Sequence, residues 1–251
     1  MYRLFILLLL SLPSATALAE APMVGVSVLA RLPHDREAFT QGLLWYRGVL
    51  IESTGRYGAS SLRHLDAQSG RMLLRTRLPD ALFAEGVAEV AGELFVLTWQ
   101  ENQLLVYDPA TLRLKRSAAY PYEGWGATSD GRHLIVSDGS ALLRFLDPRS
   151  LRVVRELMVH DGTTPVAYLN ELEWVEGEIL ANVWGQSSIA RIDARTGQVR
   201  AWLDLTPLLP PAVEGDSEAV ANGIAYDPGQ RVLYVTGKRW PVLYRLSWPP
   251  P

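Results

Sequence analysis

Hydrophobic and polar residues alternate in short runs along most of the chain, and four of these runs close in the same way. Ser61-Leu62-Arg63-His64-Leu65-Asp66, Leu104-Leu105-Val106-Tyr107-Asp108, Leu142-Leu143-Arg144-Phe145-Leu146-Asp147 and Ile189-Ala190-Arg191-Ile192-Asp193 each end on aspartate. Alternation with a period of two predicts strands. Turn-forming residues follow: Ala-Gln-Ser-Gly at 67–70, Pro-Ala-Thr at 109–111, Pro-Arg-Ser at 148–150 and Ala-Arg-Thr-Gly at 194–197. An aspartate there can bond the backbone two residues on, which predicts tight hairpins. A truncated fifth copy reads Val242-Leu243-Tyr244-Arg245-Leu246, and the aspartates lie 42, 39 and 46 residues apart.

A second element precedes each run. It reads Phe39-Thr40-Gln41-Gly42-Leu43, Phe83-Ala84-Glu85-Gly86-Val87, Glu123-Gly124-Trp125-Gly126-Ala127, Leu169-Asn170-Glu171-Leu172-Glu173 and Val220-Ala221-Asn222-Gly223-Ile224. The fourth copy aligns less cleanly, with Asn170 as the preferred match. Five units of strand-sized alternation with almost no helical periodicity predict an all-β fold, a five-bladed β-propeller with four-stranded blades. A six-bladed ring is the alternative. The last copy stops after its third strand, and a spare strand lies at 24–32. The N-terminal strand is therefore expected to close the ring and remove its free edges. Residues 206–221 break the period with three prolines and three acids, and read as a loop holding at most a helical turn.

The first 19 residues change the picture of the whole chain. Arg3, an apolar run over 4–12 and Ala17-Leu18-Ala19 have the form of a cleaved signal peptide. That run is too short to span a bilayer, which takes roughly 20 apolar residues. The expectation is a signal peptide over 1–19 and a single propeller domain over 20–251, periplasmic or secreted, monomeric and not membrane-bound. A net charge of -3 gives no footprint for nucleic acid. Zero cysteines exclude disulfides, thiol catalysis and zinc-thiolate sites. The histidines, His34, His64, His133 and His160, are scattered, so no transition metal is expected to be catalytic. No nucleophile elbow, phosphate loop or dinucleotide fingerprint is present.

Residues just before a blade's first strand lie at the mouth of a propeller's tunnel. Gln41, Glu85, Trp125, Asn170 and Asn222 are expected to ring that opening. Trp99, Trp125, Trp184 and Trp240 fall at ends of first or second strands and suggest an aromatic-walled pocket. Taken singly, each tryptophan could equally pack blade against blade. Phe39 and Phe83 could be core or pocket wall.

These elements resemble glutamine cyclotransferases of the plant and bacterial type. The resemblance rests on Phe39-Thr40-Gln41-Gly42-Leu43 with Glu52-Ser53-Thr54-Gly55, Phe83-Ala84-Glu85-Gly86, Leu97-Thr98-Trp99, Glu123-Gly124-Trp125-Gly126, Asn182-Val183-Trp184, Asn222-Gly223-Ile224-Ala225-Tyr226 and Thr236-Gly237-Lys238. It runs in order from about residue 25 to 247. It implies a five-bladed propeller that converts N-terminal glutamine of peptides or proteins to pyroglutamate and releases ammonia. The positions it implies are Glu85 and Lys238 as catalytic, and Phe39, Gln41, Phe83, Trp99, Trp125, Asn170 and Trp184 as substrate-binding. No metal ligand and no cofactor required for catalysis is implied. Plant members can hold calcium in the tunnel through oxygen ligands, which leaves a structural calcium open.

The chemistry needs few groups. The substrate's α-amine attacks its own γ-carboxamide, so one carboxylate can take the proton from the nitrogen and give it to the departing ammonia. Glu85 is the one carboxylate among the ring positions, and its aromatic neighbours should raise its pKa. Lys238, Asn170 and the indoles of Trp99, Trp125 and Trp184 are candidate donors to the oxyanion. The alternative is a non-catalytic propeller binding peptide or sugar at the same mouth. A metal-dependent lactonase-like hydrolase is a third reading, poorly served by two amides and one carboxylate at the axis.

Overall fold

The computed structural model describes residues 20–250. The expected signal peptide at 1–19 lies outside the described residues. Five antiparallel sheets stand around one axis as blades. Blade I comprises Thr40–Tyr46, Val49–Thr54, Ser61–Asp66 and Met72–Arg77. Blade II comprises Ala84–Val90, Glu93–Thr98, Gln103–Tyr107 and Leu114–Ala119. Blade III, whose inner strands are short, comprises Ala127–Ser129, Leu134–Val136, Leu142–Leu146 and Val153–Met158. Blade IV comprises Leu169–Val175, Glu178–Val183, Ser188–Asp193 and Val199–Asp204. Blade V holds Ala221–Asp227, Val232–Gly237 and Val242–Ser247.

The fourth strand of blade V is Val28–Pro33, antiparallel to Val242–Ser247. The ring is thus closed by the N-terminal strand, as the repeat count requires. The closing segment is not one strand over 24–32, however. Met23–Val24 pairs in parallel with Val199–Asp204 at the outer edge of blade IV, and residues 25–27 step across to blade V. One segment therefore covers two sheet edges.

Successive residues explain why the inner strands are so apolar. Leu43 packs between blades V and I, and Leu44 between blades I and II. In blade II, Leu94 and Val96 face blade I while Phe95 and Leu97 face blade III. Both faces of each blade are buried, so the period of two sorts side chains between two neighbours rather than between core and water. The five buried clusters occupy the five blade junctions. The aspartate turns form as read: Asp66 Oδ1 accepts the backbone N–H of Gln68 and Ser69, and Asp108 Oδ1 those of Ala110 and Thr111.

At the junction of blades V and I, the closing strand delivers His34 into a buried polar network. His34 Nε2 lies 2.9 Å from Glu52 Oε1, and His34 Nδ1 lies 2.8 Å from the carbonyl oxygen of Trp240. The hydroxyl of Thr40 donates to the same Glu52 oxygen at 2.7 Å, and Arg63 pairs with Asp35 at 2.9 Å. The period break over 206–221 contains two short 3-10 turns, Thr206–Leu208 and Pro211–Val213. No helix among the described residues is long and apolar enough to cross a membrane.

Candidate active site

Four of the five repeat elements sit on irregularities of the inner strands. The register slips between Thr40 and Gly42, Ala84 and Val87, Leu169 and Leu172, and Ala221 and Ile224. A β-bulge re-aims the residue it contains, and these hold Gln41, Glu85, Asn170 and Asn222. The glycines beside them let inner strands crowd the axis. A Cβ on Gly86 would lie 2.4 Å from Ala127 N, and one on Gly126 would lie 1.8 Å from Asn170 O.

Blade IV departs from this pattern, with Glu171 where the other blades have glycine. Its carboxylate accepts the N–H of Ile224 in adjoining blade V at 2.9 Å. It also accepts that of Leu43 in blade I, across the axis, at 3.0 Å. Glu173 is similarly committed, accepting from Tyr226 N and the Thr128 hydroxyl. Burial raises Glu171 well above the ordinary carboxylate range and pushes Glu173 up to about 8. Neither lines the cavity at the mouth. The oxygens of Glu171 and one oxygen of Glu173 are already taken by backbone N–H donors, which leaves these carboxyls a poor fit for a calcium ion. No group of three or more histidines or acids among the described residues is arranged to hold a metal.

The mouth of the ring holds a cavity of about 770 Å³. The nine positions the resemblance implies all line it: Phe39, Gln41, Phe83, Glu85, Trp99, Trp125, Asn170, Trp184 and Lys238. Trp240 does not. It is fully buried in the core between blades IV and V, where its indole N–H donates to Ala219 O at 2.8 Å. Asn222 lies buried beneath the cavity, donating to Thr40 O and to Gln41 Oε1. It holds the amide of Gln41 so that Gln41 Nε2 donates to Glu85 Oε1 at 2.8 Å.

Glu85 is buried and its pKa is raised well above the ordinary range, chiefly by desolvation, with the charges of Glu123 and Glu101 adding to the rise and Lys238 opposing it. Burial likewise lowers Lys238, whose Nζ sits 4.8 Å from the centre of the Phe39 ring. Arg56 approaches the same ring at 4.6 Å. Asn170 Oδ1 is buried and has no hydrogen-bond partner among the described residues. Asn170 as a residue lines the cavity.

Sequence reasoning missed four lining residues, Arg56, Tyr57, Tyr168 and Glu218, and one that acts from behind the wall. Glu123 Oε1 accepts the indole N–H of Trp99 at 2.5 Å and of Trp125 at 3.1 Å. The two indoles are therefore engaged and are not free to serve an oxyanion. Of the expected donors, Lys238, Asn170 and Trp184 remain.

Glu123→Gln should retain an acceptor for the indoles but remove a charge that raises Glu85. Where turnover rises with pH because a base must be free, that rise should move to lower pH. Glu123→Ala, which frees both indoles, should lower kcat/KM by about tenfold, the scale of one lost charge-assisted hydrogen bond. A pH–rate profile identical to the parent's in Glu123→Gln would rule out the electrostatic link.

The family model for glutamine cyclotransferases matches residues 3–248 of this chain. The glutaminyl-peptide cyclotransferase of Arabidopsis thaliana is 38% identical over 227 residues, covering 88% of this chain and 71% of that protein. The crystal structure of Myxococcus xanthus glutaminyl cyclase superposes with a TM-score of 0.83 at 36% identity, covering 90% of this chain and 97% of that one.

Proposed function

The chain belongs to the glutamine cyclotransferase family and has glutaminyl-peptide cyclotransferase activity, and we propose that Glu85 carries the proton through the reaction. The observation that supports this is the one buried carboxylate among the cavity-lining residues, set against aromatic walls, hydrogen-bonded to Gln41 and raised well above its ordinary pKa. An unperturbed α-amine titrates near 7.7–8.0. Raising a carboxyl from about 4.5 toward that value brings proton exchange between the two closer to balance.

The substrate's glutamine folds back on itself in the cavity, so that its α-nitrogen reaches its own γ-carboxamide carbon. Holding that geometry replaces an entropic search. As the N–C bond forms, Glu85 takes a proton from the attacking nitrogen, and the carbonyl oxygen gains negative charge. Lys238 and Asn170 are the polar groups offered to that oxygen and to the carboxamide. Glu85 returns the proton to the departing nitrogen, the C–N bond breaks, the carbonyl re-forms and ammonia leaves. Phe39, Phe83 and Trp99 pack around this site, Phe83 touching both others at ring-centre distances of 6.2 and 5.6 Å. They exclude water that would otherwise screen these charges.

We extend the reading to location and cofactor. The protein acts outside the cytoplasm after loss of residues 1–19, and the reaction needs no bound metal. The test is ammonia release from a glutamine-initiated dipeptide by the purified protein, with and without chelator. Equal rates are expected. Loss of activity to a zinc-selective chelator, restored by zinc, would overturn the metal-independent mechanism.

A further inference from the structure

The cavity, at about 770 Å³, is roomier than one glutamine requires, and its rim is not uniform. On the side of blade I, the rim is charged and polar. Arg56 pairs with Glu218 of the 206–221 loop at 3.1 Å, and the Tyr57 hydroxyl donates to Glu101 at 2.7 Å. On the side of blade IV, it consists of two aromatic side chains, Tyr168 and Trp184, with ring centres 6.1 Å apart and planes inclined at 47°. They are 56% and 48% exposed, although both line the cavity.

Tyr168 is held in a conformation that a tyrosine seldom adopts. Its φ is +62°, in the left-handed region, where a bulky residue is an outlier. Two main-chain hydrogen bonds pin it there. Its N–H donates to Gly139 O at 2.7 Å, and its carbonyl accepts from Trp184 N at 2.9 Å. Glycine would satisfy both bonds without strain. The chain instead carries a tyrosine whose ring stands at the mouth, two residues before Asn170. Nine other non-glycine residues among those described also have a positive φ, so it is the ring's place at the mouth, beside Trp184, that singles Tyr168 out.

We propose that Tyr168 and Trp184 form the subsite for the side chain of the residue that follows the cyclising glutamine, and that they favour an aromatic or large apolar residue there. This rests on the reading that glutamine occupies the floor of the cavity beside Glu85. With the glutamine there, the next residue lies at the rim. The aromatic pair carries no charge and has two half-exposed faces on which a ring can stack. On the charged side Tyr57 is as exposed, but it stands alone, its hydroxyl tied to the Glu101 carboxylate and its ring set edge-on to Phe83. Aromatic side chains with one face free at a cavity mouth are ready contact area at small entropic cost.

The experiment compares Gln-Phe-amide with Gln-Gly-amide by ammonia release, using the parent, Tyr168→Gly and Tyr168→Phe. The parent should favour the Phe substrate in kcat/KM. Tyr168→Gly should lower the Phe-to-Gly ratio by about tenfold, the scale of one lost aromatic contact. Its melting temperature should equal or exceed the parent's, because glycine relieves the positive φ. Tyr168→Phe should keep the ratio. A parental ratio near one, or an unchanged ratio in Tyr168→Gly, would overturn the subsite. Equal losses on both substrates would also overturn it, by assigning Tyr168 to the glutamine pocket itself. Absence of ammonia from both substrates with the parent would instead sink the active-site reading, and the subsite with it.

Discussion

Glu85→Gln is expected to fold like the parent and to lose at least about 100-fold in kcat, the usual contribution of a general acid–base group, with little change in KM. Folding survives because the amide oxygen can still accept from Gln41 Nε2, and the side chain keeps its size. Binding survives because Gln41, Asn170 and the aromatic walls remain. What disappears is the shuttle, since an amide neither takes the amine's proton nor supplies one to ammonia. Glu171→Gln is the informative contrast. Its two carboxylate oxygens answer the N–H groups of Leu43 and Ile224, and an amide offers one acceptor oxygen. It should cost stability more than turnover. Near-parental kcat and melting in Glu85→Gln would reduce Glu85 to a lining residue.

The largest expected effect on stability is at the seam where the ring closes. Glu52 is fully buried, and His34, Thr40 and Arg63 face it from the closing strand and blade I. Removing one member of a buried charged pair typically costs about 3–5 kcal/mol, because the other stays buried without its counter-charge. Glu52→Gln should therefore destabilise on that scale, within a total that for most domains is only about 5–15 kcal/mol.

The pH dependence has a definite sign. Burial alone would lower His34, but the charge and hydrogen bond of Glu52 outweigh it and raise His34 above 6.5. The stabilisation from His34 is thus complete below 6.5 and fades as pH rises through the raised value. Glu52 is lowered by His34 and Arg63 against the cost of its own burial, so its contribution is present above 4.5 and fades at more acid pH. Parent stability should include a term with a plateau between these limits that declines on the alkaline side. In Glu52→Gln that decline should vanish, and the same alkaline slope in chemical denaturation of both proteins would show that the pair is not the cause.

Much of this was legible in the sequence. Repetition at a fixed period gave the blade count, the missing strand gave the manner of closure, and glycines after Gln41, Glu85 and Trp125 marked the crowded axis. The nine site positions that all line one cavity came from the family resemblance rather than from the repeat. The errors share a different cause. Alternation shows that a residue leaves the strand to one side, not which neighbour it meets, so Trp240 resembled Trp99 and Trp184 while belonging to the core. Glu123 stood in the third repeat element without a role, because one of its two indole partners, Trp99, comes from the previous blade. Tyr168 gave no signal at all, since only glycine and asparagine commonly announce a positive φ. The division of the closing strand between two blades was hidden because the step at 25–27 falls inside a run that reads as one strand.

The glutamate at the axis limits how alike the five repeats can become. Averaging the copies into a consensus unit, a change that stabilises many repeat proteins, would write glycine at position 171. The N–H groups of Leu43 and Ile224 would then lose their acceptor, and the space the side chain fills would be left as a void. Writing glutamate into all five copies would fail for the opposite reason, because the Cβ positions at Gly42, Gly86 and Gly126 are already occupied by the backbone or side chains of the next blade. A ring this tight tolerates one crossing side chain, so its repeats must diverge at that position, and blade IV cannot exchange places with any other.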